Sequence, residues 1–388
     1  MYTIKTFNKI SDEGLSCLRE VKFKIQSDSN NPDAIILRSH DLHKETLPDS
    51  VLAIGRAGAG VNNIPVQACT LRNIVVFNTP GANANAVKEL VLAALFLSSR
   101  NIIKAVNFVR ELAGTEANLH HAIEEHKSAF KGSELAGRTL GVLGLGAIGM
   151  MVANSAVELG LSVMGYDPFI SVSRAWELSR SVEPAPSISR LLGSSDYITM
   201  HMPLTADTKE FVDYDKLSKV KRGAVLLNFA RPEIVNEADV LRALNEGLIS
   251  LYVTDFPSRN LLASEKVICI PHLGASTAEA ENNCAIMISQ QIRDYLLDGN
   301  ISNSVNFPNC FAERSTSYRI VYANKNVPNM VGQVSSVLAN HGLNIQEMIN
   351  KSKDEVAYNI IDLNQEPSIE AITEIKDIEG VLFVRLIK

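Results

Sequence analysis

Residues Thr139–Asp167 read TLGVLGLGAIGMMVANSAVELGLSVMGYD. A short apolar run breaks at Gly144, Gly146 and Gly149 in the spacing G-x-G-x-x-G, a helix-like segment follows, and a second apolar run ends in an acid. That order is the sequence form of a strand–helix–strand unit that holds a dinucleotide. Gly144 allows a sharp turn, Gly146 lets backbone amides approach a pyrophosphate, and Gly149 lets the helix pack closely on the strand. The pyrophosphate is expected at the positive helix N-terminus. Asp167 stands where a carboxylate accepts hydrogen bonds from ribose hydroxyls. It would repel a 2′-phosphate, and Pro168, Phe169 and Ile170 bring no cation to offset it, so NAD is expected over NADP. The glycine triplet alone fits an ordinary turn equally well. The strand, helix, second strand and acid in register favour the cofactor.

Bulk properties narrow the class. The 388 residues, 46% hydrophobic and 21% charged, suffice for two or three soluble domains. A net charge of -6 without a basic cluster argues against nucleic acid and against anionic membrane surfaces. No apolar run is long enough to span a bilayer, and MYTIKTFNKISDEG has no signal-peptide core, so a cytoplasmic location is expected. The five cysteines are scattered and form neither a disulfide framework nor a metal pair, so no metal is expected.

Before this stretch, residues 1–97 alternate apolar runs with turns and helices, which predicts a parallel α/β sheet. Arg38 and Arg56 each follow an apolar run, near where ligands bind in open sheets. The loop Gly58-Ala59-Gly60 exposes backbone N–H groups that can hold a carboxylate. Solvated loop arginines are the plain alternative. Residues 82–114 have helical periodicity almost without breakers, which predicts one long bridging helix.

After it, three further apolar runs end in Arg231, Asp255 and His272. Singly, these fit a surface cation, a structural acid and a core imidazole. Their shared place at strand ends points to chemistry. An amphipathic helix over 277–300 leads to NSVNFPNCFAERST, residues 303–316, which reads as a linker. Residues 317–388 then read as a separate βαββαβ module of ferredoxin-like type.

The motifs RAGAGVNNI, NTPGANANAVKELVL, VLGLGAIG with Asp167, NFARPEIV, VTDFP and PHLGAST resemble, in order, those of the D-isomer-specific 2-hydroxyacid dehydrogenases. The C-terminal module resembles an ACT domain. The resemblance implies two Rossmann-like doubly wound parallel-sheet domains: a substrate domain, 1–97 and 275–306, interrupted by an NAD domain, 98–274, with the ACT domain over 317–388. It implies a cleft that closes by hinge motion.

By the same resemblance, Arg231 holds the substrate carboxylate and the oxygen on the oxidised carbon, and His272 takes the hydroxyl proton. Arg38 and Arg56 bind the substrate with Gly58, Ala59 and Gly60, and paired cations suit a phosphate. Lys127 is a weaker candidate for that job. Asp255 lies near the nicotinamide, and Ala59, Ala147, Ile148, Met202, Phe229, Ala230, Gly274 and Ala275 also line the dinucleotide. The implied reaction is oxidation of 3-phospho-D-glycerate in a homodimer or homotetramer. Alternatives are a dehydrogenase of glycerate or 2-hydroxyglutarate, and a non-catalytic NAD-sensing protein. In the ACT module, Asn324, Asn326 and Asn344 match positions that bind L-serine in regulated relatives, although the usual Pro-Gly turn reads Pro328-Asn329.

Two departures stand out. Pro232 follows Arg231 where glycine is usual, and is assigned no chemistry. Asn260 stands where most members pair the histidine with a glutamate. A neutral amide raises an imidazole pKa far less than a carboxylate does. Oxidation is therefore expected to keep its activity to lower pH than in relatives with the glutamate, unless another acid substitutes for it. An Asn260→Glu variant whose acidic limb is unchanged contradicts this.

Overall fold

The computed structural model describes residues 1–114 and 118–388, and of Ser173 the backbone alone. The described residues form two compact units, Met1–Asn83 with Ala278–Lys388, and Ala84–Thr277.

In the first unit, β1 (Tyr2–Thr6), β2 (Phe23–Ile25), β3 (Ala34–Leu37), β4 (Ala53–Arg56) and β5 (Val75–Phe77) form a parallel sheet in the order β2-β1-β3-β4-β5. Strands β3 and β5 are buried throughout, which is why they read as unbroken apolar runs. Helix Ala278–Asp298 sets Cys284, Ile288 and Tyr295 into one core with Ile4, Ile36 and Phe77. Gly55 permits that approach, because a Cβ there would lie 2.5 Å from the Ile288 side chain.

In the second unit, β6 (Thr139–Leu143), β7 (Ser162–Tyr166), β8 (Val182–Pro184), β9 (Tyr197–Met200), β10 (Ala224–Asn228), β11 (Ile249–Thr254) and β12 (Val267–Cys269) form a second parallel sheet. Its order is β12-β11-β10-β9-β6-β7-β8. The chain reverses direction across the sheet between β6 and β9, the switch point where doubly wound sheets bind ligands. Helices Ala84–Arg100 and Ala147–Glu158 cover one face through Val91, Leu95, Val152 and Ala156. Leu191, Leu217, Val240 and Leu244 cover the other. Among the described residues no helix is long and apolar enough to cross a membrane.

The chain then returns to the first unit, where β13 (Tyr318–Lys325), β14 (Ile345–Lys353), β15 (Val356–Leu363) and β16 (Val381–Ile387) form an antiparallel sheet in the order β14-β15-β13-β16. Helices Met330–Asn340 and Ile369–Asp377 cover the face carrying Ile320, Tyr322 and Ile361. The opposite face, through Val321, Ala323, Tyr358 and Ile360, joins the core of the five-stranded sheet.

The structure departs from the sequence reading in four places. The helix expected over 82–114 is broken. It runs Ala84–Arg100, turns at Asn101, whose φ is 52°, and resumes as Ile102–Leu112. Just before the break, Ser98 and Ser99 turn their hydroxyls back to the carbonyls of Leu95 and Phe96, the competition by which serine weakens a helix. The stretch 303–316 is no free linker, because Phe307, Cys310 and Ala312 are buried in the core of the first unit.

Nor does 317–388 stand apart from the first sheet: both faces of its own sheet are covered, and Arg319 ties it down. Wholly buried, Arg319 donates from Nε and Nη2 to Asp362 at 2.6 and 2.8 Å. It also donates to the carbonyls of Asp298, Ala312 and Glu313. Burial alone would raise the Asp362 carboxyl's pKa, but Arg319 and Ser315 hold it lowered. The expected domain boundaries stood at 97/98 and 274/275. The compact units divide at 83/84 and 277/278, so helix Ala84–Arg100 goes with the seven-stranded sheet.

Candidate functional site

The glycine loop follows β6. Gly144 has φ 89°, and a Cβ on it would lie 2.8 Å from the backbone of His201 and Met202. At Gly149 a Cβ would lie 1.9 Å from the Gly144 carbonyl, so only glycine lets the helix start this close to the strand. Nothing lies within 4 Å of a Cβ at Gly146, the residue that caps helix Ala147–Glu158. The loop is thus packed tight beneath its first and third glycines and open above the second, at a helix N-terminus. That shape fits a pyrophosphate.

Asp167 directly follows β7. Its Oδ2 accepts from the N–H of Leu145 at 2.8 Å and its Oδ1 from that of Phe169 at 2.9 Å, which fixes the carboxylate against the loop. Each oxygen keeps a lone pair for a ribose hydroxyl.

Arg231, Asp255 and His272 follow β10, β11 and β12, three neighbouring strands of one edge. Asp255, 2% exposed, accepts from the N–H of Leu273 at 2.7 Å and of Gly274 at 2.8 Å. Its backbone carbonyl accepts from the N–H of His272. His272 itself has φ 55°, a conformation rare for a side-chain-bearing residue, and its ring meets Phe256 edge-on. The acid therefore clamps the strained turn that presents the imidazole. Burial pushes the Asp255 carboxyl up, against the pull of those N–H groups.

Arg231 is exposed, and its loop is braced by Asn228, whose Nδ2 donates to the Arg231 carbonyl at 2.9 Å and whose Oδ1 accepts from Ala230 N. Phe229 is buried beneath that loop. Asn260 donates from Nδ2 to Glu237 Oε1 at 2.9 Å.

In the first unit, Arg38 and Arg56 come together. Arg56 Nε donates to the Arg38 carbonyl at 3.1 Å. Gly58, with φ 155°, makes room for the Arg56 guanidinium, which a Cβ there would approach to 2.4 Å. Asn78 holds the loop through the Ala59 carbonyl. Lys127 pairs with Glu124 on an exposed turn of the second unit. In the C-terminal module, Asn326 and Asn344 are exposed at opposite ends of the sheet, while Asn324 is buried and hydrogen-bonded to Asn359 and the Lys325 carbonyl.

Sequence reasoning missed the braces: Asn228, the clamp role of Asp255, and Asn8, whose Oδ1 accepts from the N–H groups of Ser39 and His40 behind Arg38. It also missed His201, which lies beneath the glycine loop and pairs with Thr199 Oγ1 at 2.9 Å. Its neighbours Met200 and Met202 make it read as part of an apolar strand.

Residues 93–274 match the D-isomer specific 2-hydroxyacid dehydrogenase, NAD binding domain. D-3-phosphoglycerate dehydrogenase 1 of Saccharomyces cerevisiae is 30% identical over 354 residues, covering 85% of this chain and 71% of the yeast protein. The chain belongs to the D-isomer-specific 2-hydroxyacid dehydrogenase family. Its cofactor is accordingly NAD. D-3-phosphoglycerate dehydrogenase of Methanocaldococcus jannaschii is 36% identical over 272 residues, 69% of this chain and 49% of that protein. The chain spans about half to three fifths of several such relatives, 52% and 59% in those of Archaeoglobus fulgidus and Bacillus subtilis. Among solved structures, the NAD+-bound 3-phosphoglycerate dehydrogenase of Entamoeba histolytica superposes with a TM-score of 0.60 at 25% identity, covering 80% of this chain and 99% of that one.

His201 yields a prediction about stability. Its Nδ1 is buried without a partner, and burial pushes the imidazole's pKa from 6.5 down to about 3. Below 6.5 the unfolded chain takes up a proton that the folded one refuses, so stability falls as pH drops toward 3. Between neutral pH and about pH 5 this group removes roughly 2 kcal/mol. Urea unfolding at both pH values, compared with a His201→Gln variant lacking that slope, checks it.

Proposed function

We propose that this protein oxidises 3-phospho-D-glycerate to 3-phosphohydroxypyruvate with NAD, the first step of L-serine synthesis. The observation that carries the reading is the placement of Arg231 and His272 after β10 and β12, the two strands that flank β11, on the carboxyl edge of the sheet that bears the glycine loop. Oxidising a secondary alcohol removes a hydride from carbon and a proton from oxygen. NAD, when bound, accepts the hydride. His272 takes the hydroxyl proton on its ring, held in place by the Asp255 clamp. Arg231 holds the carboxylate and stabilises the oxygen as it becomes a carbonyl. Arg38 and Arg56 take the phosphate, whose oxygens match two guanidinium groups.

Self-association belongs to the same reading. Helix Ile102–Leu112 has no buried residue, and with Phe96 and Phe130 it lines an apolar groove of about 730 Å³. That is a face for a second copy, and light scattering reads it. An L-serine effector rests on Asn326 of one copy and Asn344 of another, since the two stand at opposite ends of the sheet and the Asn324 amide is turned inward.

One assay tests the function: NADH formation with 3-phospho-D-glycerate, D-glycerate and D-2-hydroxyglutarate, with and without L-serine. The phosphorylated acid should be used best. His272→Ala should lower kcat by about 10²- to 10⁴-fold. Arg38→Ala or Arg56→Ala should raise KM for the phosphorylated acid by roughly ten- to a hundredfold, and for D-glycerate far less. Turnover of D-glycerate or D-2-hydroxyglutarate alone would mean a different dehydrogenase, and no turnover a binding protein.

A further inference from the structure

The anion subsite carries its own anion. Glu281 Oε1 lies 2.6 Å from Arg38 Nη1, and both side chains are partly exposed, at 47% and 33%. Glu281 sits in the first turn of helix Ala278–Asp298. There a carboxylate is favoured by the helix dipole whether or not an arginine faces it. Exposed ion pairs are usually bystanders. This one differs in the arginine it engages.

Arg38 is held in a built loop: Asn8 binds the N–H groups of Ser39 and His40, and the Arg38 carbonyl accepts from Arg56 Nε and from Asn63 Nδ2. The loop therefore ties the Arg56 side chain to the Arg38 backbone, while a carboxylate from a helix distant in sequence meets the Arg38 guanidinium. The thiol of Cys284, three residues beyond Glu281, is pushed up chiefly by burial but also feels Arg38, Arg56 and Glu281, which places all four in one neighbourhood.

We propose that Glu281 is a resident counter-anion that competes with the substrate's phosphate for Arg38 and so sets the affinity of the subsite. The inference rests on the phosphorylated-acid reading above. A phosphate reaching Arg38 must displace the carboxylate and then stand beside it, both of which weaken binding. A ligand that is also held by its own carboxylate tolerates that cost, whereas free inorganic phosphate has no second anchor. Glu281 thereby keeps the subsite from filling with phosphate alone. An unphosphorylated acid leaves the ion pair intact and does not feel it.

The test uses the full chain with Glu281→Gln, which keeps the shape and removes the charge, and Glu281→Asp, which keeps the charge. For Glu281→Gln, KM for 3-phospho-D-glycerate should fall by about fivefold, the upper range for an exposed pair. Inhibition by inorganic phosphate should strengthen by a similar factor, and KM for D-glycerate should not move. Glu281→Asp should keep the weak phosphate response of the parent. An unchanged or raised KM for the phosphorylated acid in a folded Glu281→Gln protein overturns the proposal, as does an equal shift for D-glycerate. If the parent makes no NADH from 3-phospho-D-glycerate, the functional reading fails. Calorimetric binding of inorganic phosphate, tighter in Glu281→Gln or not, then decides the role of Glu281 alone.

Discussion

The buried carboxylate of Asp255 is the contact on which the site depends. Two backbone N–H groups close on its two oxygens, and a third bonds its carbonyl. Together they hold His272 in a left-handed conformation that a free loop would abandon. A carboxylate this buried needs such donors, or it would protonate instead. The same bonds that satisfy the acid thus position the imidazole. Asn228 does a parallel job for the Arg231 loop one strand over, with an uncharged amide in place of the acid.

The glycine loop rests on a related economy of space. Gly149 must touch the Gly144 carbonyl and Gly144 must turn beside His201 for the helix N-terminus to meet the strand end. The cost falls on His201, kept neutral by its burial, with one ring nitrogen left without a partner. In the first unit the equivalent cost is electrostatic. Arg319 satisfies its buried charge with Asp362 and three carbonyls, joining the C-terminal sheet to the helix before it. Arg38 satisfies its partly exposed charge with Glu281.

Much of this was legible in the chain. Period and punctuation gave both parallel sheets and the βαββαβ order, because their strands are apolar runs closed by turn residues. That the candidate residues Arg231, Asp255 and His272 follow strand ends was legible for the same reason. What escaped were contacts between segments far apart in sequence. No local pattern says that Asp255 will bond Leu273 and Gly274, that Glu281 will reach Arg38, or that an arginine on β13 will be wholly buried. Asn101 shows a different limit: unbroken periodicity predicted one helix, while a single residue tolerant of positive φ ended it. The stretch 303–316 looked like a linker because its buried residues, Phe307, Cys310 and Ala312, follow no period.

The proposed hydride-transfer site depends on the Asp255 clamp holding His272. An Asp255→Asn variant replaces one acceptor by a donor that faces a backbone N–H, with little change of volume. Single-turnover NADH formation at saturating NAD should then slow by about a hundredfold or more, the scale of a displaced general base. A rate close to that of the parent, or a loss residing wholly in NAD affinity, would contradict the account.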